Sequence, residues 1–191
     1  MSDAPAALLV IDVQQGLDDP KYGRRNNPDA ERVMARLLAA WRSAGWPVIH
    51  VQHMSITPGS PLRPELAGNA LKPEVMPRAG EPLFQKTVNS AFVGTGLQSF
   101  LRDAGIRRLV LTGLTTDHCV SATARTASDL GFEVVVVSDA TATFERTGAD
   151  GQWYSAEQMH GAALASLHGE FGRVEGSAEV LGRLAAPMPR R

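Results

Sequence analysis

Residues 107–131 read RRLVLTGLTTDHCVSATARTASDLG, and this stretch decides the fold. A stretch with a continuous apolar centre, RRLVLTG (107–113), meets a short polar turn, and a segment rich in alanine follows and ends at Gly131. Apolar character without alternation is what a strand covered on both faces requires. The small side chains after the turn let a helix pack closely on a sheet. The unit reads as strand, turn, helix, and the same grammar extends in both directions.

Upstream, AALLVIDV (6–13), PVIHV (47–51) and the shorter PLFQK (82–86) read as strands; downstream, FEVVVVSD (132–139) does too. Helices are expected between and after them, over 29–45, 93–105, 119–131, 155–171 and 177–184. In the first, Val33, Leu37, Leu38 and Trp41 recur at helical spacing. Strand and helix in alternation imply right-handed crossovers, hence an α/β fold. The expected form is a three-layer αβα sandwich around a mostly parallel, Rossmann-like central sheet. A chain of 191 residues suits one domain (1–191), with 183–191 expected to fray. Residues 54–82 break the rhythm, with six of the twelve prolines and no periodicity. So long a loop is expected to be an ordered wrap over a pocket, a subunit contact, or a passive surface insertion.

The composition, 43% hydrophobic and 20% charged with a net charge of −1, is that of a globular protein. It draws the chain neither to nucleic acid nor to an anionic membrane. A single cysteine, Cys119, excludes a disulfide within the chain and a zinc site of several thiolates. No basic region precedes the first apolar run, and no stretch approaches the roughly 20 apolar residues of a membrane helix. A cytoplasmic setting is the expectation.

In an open parallel sheet, ligands bind beyond the carboxyl ends of the strands. Asp12, Lys86 and Cys119 all fall at such ends. Each has an ordinary reading, as a turn carboxylate, a water-facing lysine and a buried structural thiol. Their joint placement points instead to one site. Thr116 or Asp117 is expected to cap the following helix and set Cys119 in its first turn, where free N–H groups favour thiolate and can receive an oxyanion. His118, next door, reads as pocket wall or surface, and Arg125, in mid-helix, as structural. A nucleotide-binding or thiol-sensing domain is the competing class. Against it, DVQQGL (12–17) lacks the G-x-G-x-x-G that cradles a pyrophosphate, and no second cysteine can resolve an oxidised one.

LLVIDVQQGL (8–17), QKTVNSAF (85–92) and GLTTDHCVSATARTASDLGF (113–132) together resemble the isochorismatase-like cysteine hydrolases, over about residues 6–172. That family includes nicotinamidases, ureidoacrylate amidohydrolases and N-carbamoylsarcosine amidases. The resemblance implies a catalytic triad of Asp12, Lys86 and Cys119, a cis Leu114–Thr115 peptide, and an oxyanion held by the backbone N–H groups of Thr115 and Cys119. It implies cleavage of a C–N bond in a small amide, ureide or carbamoyl compound through a thioester, without a cofactor, in a homo-oligomer. The alternative is vinyl-ether hydrolysis of the isochorismatase type, but some relatives with that chemistry lack the cysteine. Gln14, Gln15, Asn89, Phe92, Trp153 and Tyr154 are the expected substrate contacts, ordinary packing being the other reading of the aromatics, and 140–155 a second pocket loop. Metal-dependent relatives carry an Asp-x-His element; here HVQHMSITPGS (50–60) offers His50 and His53. Three apart on a strand, these face opposite sides, so no metal site is expected.

Overall fold

The computed structural model describes residues 5–185. In chain order the regular elements are β1 (Ala7–Ile11), α1 (Ala30–Ser43), β2 (Val48–His53), β3 (Leu83–Lys86), α2 (Leu97–Asp103), β4 (Arg108–Leu114), α3 (Ser121–Asp129), β5 (Glu133–Ala142), β6 (Arg146–Thr147), β7 (Trp153–Tyr154), α4 (Ala156–Leu167), β8 (Arg173–Glu175) and α5 (Ser177–Ala185). Six strands form one sheet in the order β3-β2-β1-β4-β5-β8. Every pairing within it is parallel. β6 and β7 make a separate antiparallel hairpin.

β1 is buried throughout because it is central, and its side chains divide by parity. Leu8 and Val10 join Val33, Leu37, Leu38 and Trp41 of α1 and Val180 of α5 in one core. Ala7, Leu9 and Ile11 join Leu97 and Leu101 of α2, Ala124 and Ala127 of α3 and Leu167 of α4 in the other. The sheet therefore lies between two helix layers, the expected sandwich. Gly113 adopts φ +123°, and a Cβ there would lie 2.0 Å from the Ile11 carbonyl oxygen. Only glycine lets β4 approach β1 this closely beneath the site.

Three expectations need correcting. β8 is absent from the sequence pattern, since three residues between Gly172 and Gly176 are too few to show a period; pairing with β5 makes them a strand. The second helix is shorter than 93–105, because residues 91–96 form turns before Leu97. Residues 183–185 end α5 rather than fray, and 186–191 lie outside the described residues. Among the described residues, no helix is long and apolar enough to cross a membrane.

The proline-rich segment is ordered by polar contacts instead of a core of its own. Asn69 Nδ2 donates to the carbonyls of His53 (2.9 Å) and Leu62 (2.7 Å), and Gln14 and Gln52 donate to the Asn69 carbonyl. Farther along, Lys72 Nζ donates to Glu31 Oε1 of α1 at 2.7 Å, and Arg25 grips both oxygens of that carboxylate at 2.6 and 2.7 Å. Burial by itself would push the Glu31 carboxyl up, but Arg25 and Lys72 overcome it and hold it at about 2, against an ordinary 4.5. A depressed folded-state value means stabilisation that is complete above pH 4.5 and lost as pH falls through 2. Its size is about 3 kcal/mol. Glu31→Gln should remove about that much stability at neutral pH and flatten this limb of the acid-unfolding curve, as measured by urea titration across the pH range.

Candidate active site

The sheet changes winding direction between β1 and β4, and the site lies beyond the carboxyl ends of these strands. Asp12 is the residue after β1. Its φ is +53°, and its N–H donates to the Val51 carbonyl of β2. Lys86 is the last residue of β3. Its side chain turns inward and is fully buried, although β3 is an edge strand with exposed residues. Cys119 sits in a π-helical turn, Thr116–Val120, that runs directly into α3.

The three groups converge on the lysine. Lys86 Nζ lies 2.5 Å from Asp12 Oδ2, 3.0 Å from His53 Nδ1, 3.1 Å from the Val88 carbonyl oxygen and 3.4 Å from Cys119 Sγ. An ammonium can only donate, so His53 Nδ1 must accept, which puts the imidazole proton on Nε2. Burial first, then the charge of Lys86, hold His53 at about 4, so it is neutral under ordinary conditions. Asp12, His53 and Cys119 bring ligand atoms within 4.8 Å of one another, a spacing that suits a metal ion. Lys86 Nζ touches all three. His50 faces away from this cluster, to Glu81 at 2.9 Å.

The protonation of the sulfur differs from the expectation. Burial, then the negative charge of Asp12, push the Cys119 thiol well up, and Lys86 pulls it back only in part. Burial and the Asp12 charge therefore favour the thiol, against the thiolate that a helix start by itself would favour. Burial also lifts Asp12, against the pull of Lys86, which makes it a stronger proton acceptor than a surface carboxylate.

Thr116 and Asp117 do not cap the helix either. Thr116 Oγ1 lies 2.9 Å from His160 Nδ1 of α4. Asp117 accepts from Thr143 Oγ1 at 2.5 Å and pairs with Arg146 at 2.9 Å. The turn carrying the sulfur is thus held from outside by two other segments. The Leu114–Thr115 peptide just before it is cis.

A cavity of about 430 Å³ opens over these groups. Asp12, His53, Asn89, Leu114, Thr115 and Cys119 line its inner end, with Asn89 Oδ1 3.9 Å from Sγ. His118 lines it too and accepts from Arg146 through Nε2 at 2.9 Å. Leu17, Tyr22, Leu62 and Phe144 form the facing wall, and Lys21, Glu145 and Arg146 complete the lining.

Of the expected substrate contacts, Asn89 alone lines the cavity. Gln14 is buried, its amide spent on the backbone of His53 and Asn69; alternation would put it on the same side as Asp12, but the left-handed φ of +53° at Asp12 ends the strand between them. Gln15 points to the Leu71 carbonyl on the exterior. Phe92 belongs to a core, stacked on Phe132 at 5.7 Å. Trp153 and Tyr154 sit on the outer hairpin, Trp153 exposed and Tyr154 bonded to Asp150. Arg125 does pack structurally, over the Phe171 ring and against Ser166. Leu17, Lys21 and Tyr22 escape a reading of the sequence; their only signal is a turn-rich stretch, GLDDPKYG (16–23), just after a strand end.

Residues 6–178 match the model of the isochorismatase domain. The chain is 45% identical over 168 residues to YrdC, an uncharacterized isochorismatase-family protein of Bacillus subtilis, spanning 88% of this chain and 90% of the relative. It is 32% identical over 171 residues to RutB, a ureidoacrylate amidohydrolase of Variovorax paradoxus, spanning 71% and 68% of the two. A crystal structure of an isochorismatase-family protein from Chromobacterium violaceum superposes with a TM-score of 0.94 at 46% identity, covering 98% of this chain and 97% of the other.

Proposed function

This chain belongs to the isochorismatase family of hydrolases, and on that premise we propose that it cleaves a C–N bond of a small amide, ureide or carbamoyl compound with Cys119 as nucleophile. The observation that carries this reading is the buried Asp12–Lys86 pair in contact with a thiol at a cavity floor. The similarity to an amidohydrolase supports acyl chemistry over ether cleavage.

The sulfur attacks the carbonyl carbon as its proton passes to Asp12, so no free thiolate need accumulate. The N–H groups of Thr115 and Cys119 receive the oxyanion. Lys86 keeps the Asp12 carboxylate in place and balances the negative charge shared among carboxylate, sulfur and oxygen. Collapse of the intermediate breaks the C–N bond, and Asp12 returns its proton to the departing nitrogen. Water then adds to the thioester, again giving a proton to Asp12, and the acid leaves as the thiol re-forms. His53, neutral and accepting from Lys86, keeps the ammonium directed inward.

Acid-quenching the protein with a reactive amide and weighing it intact should reveal an adduct of the acyl mass on the peptide containing Cys119. Turnover of the amide without any such adduct, with water attacking the carbonyl directly, would overturn the covalent route.

A further inference from the structure

The chemistry proposed above uses only one end of the cavity, and the other end is apolar. Leu17 and Tyr22 come from the two short helical turns after β1, Leu62 from the proline-rich segment and Phe144 from the loop after β5. Leu17, Leu62 and Phe144 belong to the α1-side core, and Tyr22 stacks on Phe144 with ring centroids 5.1 Å apart. Three segments distant in the chain converge to make one apolar wall. The charged groups at the mouth are of both signs and already engaged. Arg146 is held by Asp117, Glu145 lies 3.9 Å from Arg24, and Lys21 donates to the Gly59 carbonyl at 2.8 Å. Only Lys21 among them has a neutral partner, so the mouth offers no cluster of cations to select an anion. A ureide turned toward this wall would bury its polar groups without partners, which is costly.

The tetrahedral carbon fixes which part of the substrate meets the wall. Its nitrogen must lie near Asp12, which returns the proton and sits in the closed inner corner, 1% exposed, against Lys86. Its oxygen takes the Thr115 and Cys119 N–H groups. The acyl substituent has only the open volume left, toward Leu17, Tyr22, Leu62 and Phe144. We infer that the substrate is a primary amide with an apolar acyl group bulkier than a ureide's, lying against the Tyr22–Phe144 face. This rests on the cysteine-hydrolase reading. The steps balance: the amide and the thiol give the thioester and ammonia, and the thioester and water give the carboxylic acid and the thiol.

The test is kcat/KM, by ammonia release, for straight-chain primary amides from acetamide to hexanamide, with N-carbamoylglycine as the polar comparison. Each methylene buried on the wall should raise kcat/KM about fourfold until the cavity is filled. Tyr22→Ser should reduce the rise per methylene. A flat or falling series, or N-carbamoylglycine outrunning every amide, overturns the apolar assignment and leaves the cysteine hydrolase standing. Ammonia from none of these compounds, with no acyl adduct on Cys119, removes both.

Discussion

Cys119→Ala is expected to lower hydrolysis by about 10⁴-fold or more while the protein keeps its fold. The size follows from the role: without the sulfur there is no covalent intermediate, and the oxyanion donors and the cavity are left to act on water alone. Stability should change little. The thiol is half-buried at a cavity floor, so its loss enlarges an existing space instead of opening a sealed void in the core. Turnover and thermal unfolding of the same sample separate the two effects. Full activity in the variant would remove Cys119 from the chemistry. Lost activity with a collapsed melting temperature would show that the residue was needed for the fold instead.

Asp12→Asn should also abolish most turnover, by about 10²–10⁴-fold, because the step that accepts and returns the proton has no acceptor. The same variant should move the thiol in the direction opposite to a simple loss of activation. Cys119 is raised by burial first and by the Asp12 charge second, with Lys86 opposing. Asparagine removes the second contribution and leaves the lysine, so the thiol should ionise at a lower pH than in the parent. Alkylation by iodoacetamide, followed against pH, should have its midpoint shifted down, and at fixed neutral pH the variant should react faster. The placement of Asp12 in sequence alone suggests the reverse, a slower alkylation through loss of the activating base. A midpoint that rises in Asp12→Asn would mean that the carboxylate stabilises thiolate, and attack concerted with proton transfer to Asp12 would be excluded. Lys86 carries the complementary expectation: its ammonium is the group that lowers the thiol, at 3.4 Å from Sγ.

The contrast between these variants shows where sequence reading stops. That Asp12, Lys86 and Cys119 occupy strand ends is legible, because the end of an apolar run is a local feature and parallel topology sends strand ends to one edge. The ionisation of Cys119 is not legible. A helix start favours thiolate only when burial and a nearby carboxylate do not outweigh it, and here both do. The substrate contacts are least legible. Gln14 is two residues from Asp12 yet works as a clamp on the proline-rich segment, because the positive φ of Asp12 breaks the alternation that would have kept the two on one side. Phe92 follows Lys86 by six and lies in a core; Leu62, in a loop with no period, closes the cavity.

By itself the sequence determined the alternation of the first five sheet strands with helices, the parallel sheet between two helix layers, and which residues stand at its reactive edge. These follow from hydrophobic period and chain direction, which are written in neighbouring residues. Tertiary structure alone decided that burial and a carboxylate press on the sulfur, that one lysine joins the carboxylate, the imidazole and the sulfur, and that the far wall of the cavity is apolar. Each of those depends on side chains tens of residues apart being brought within a few ångströms and out of water, where distance and desolvation, not local pattern, set the energies.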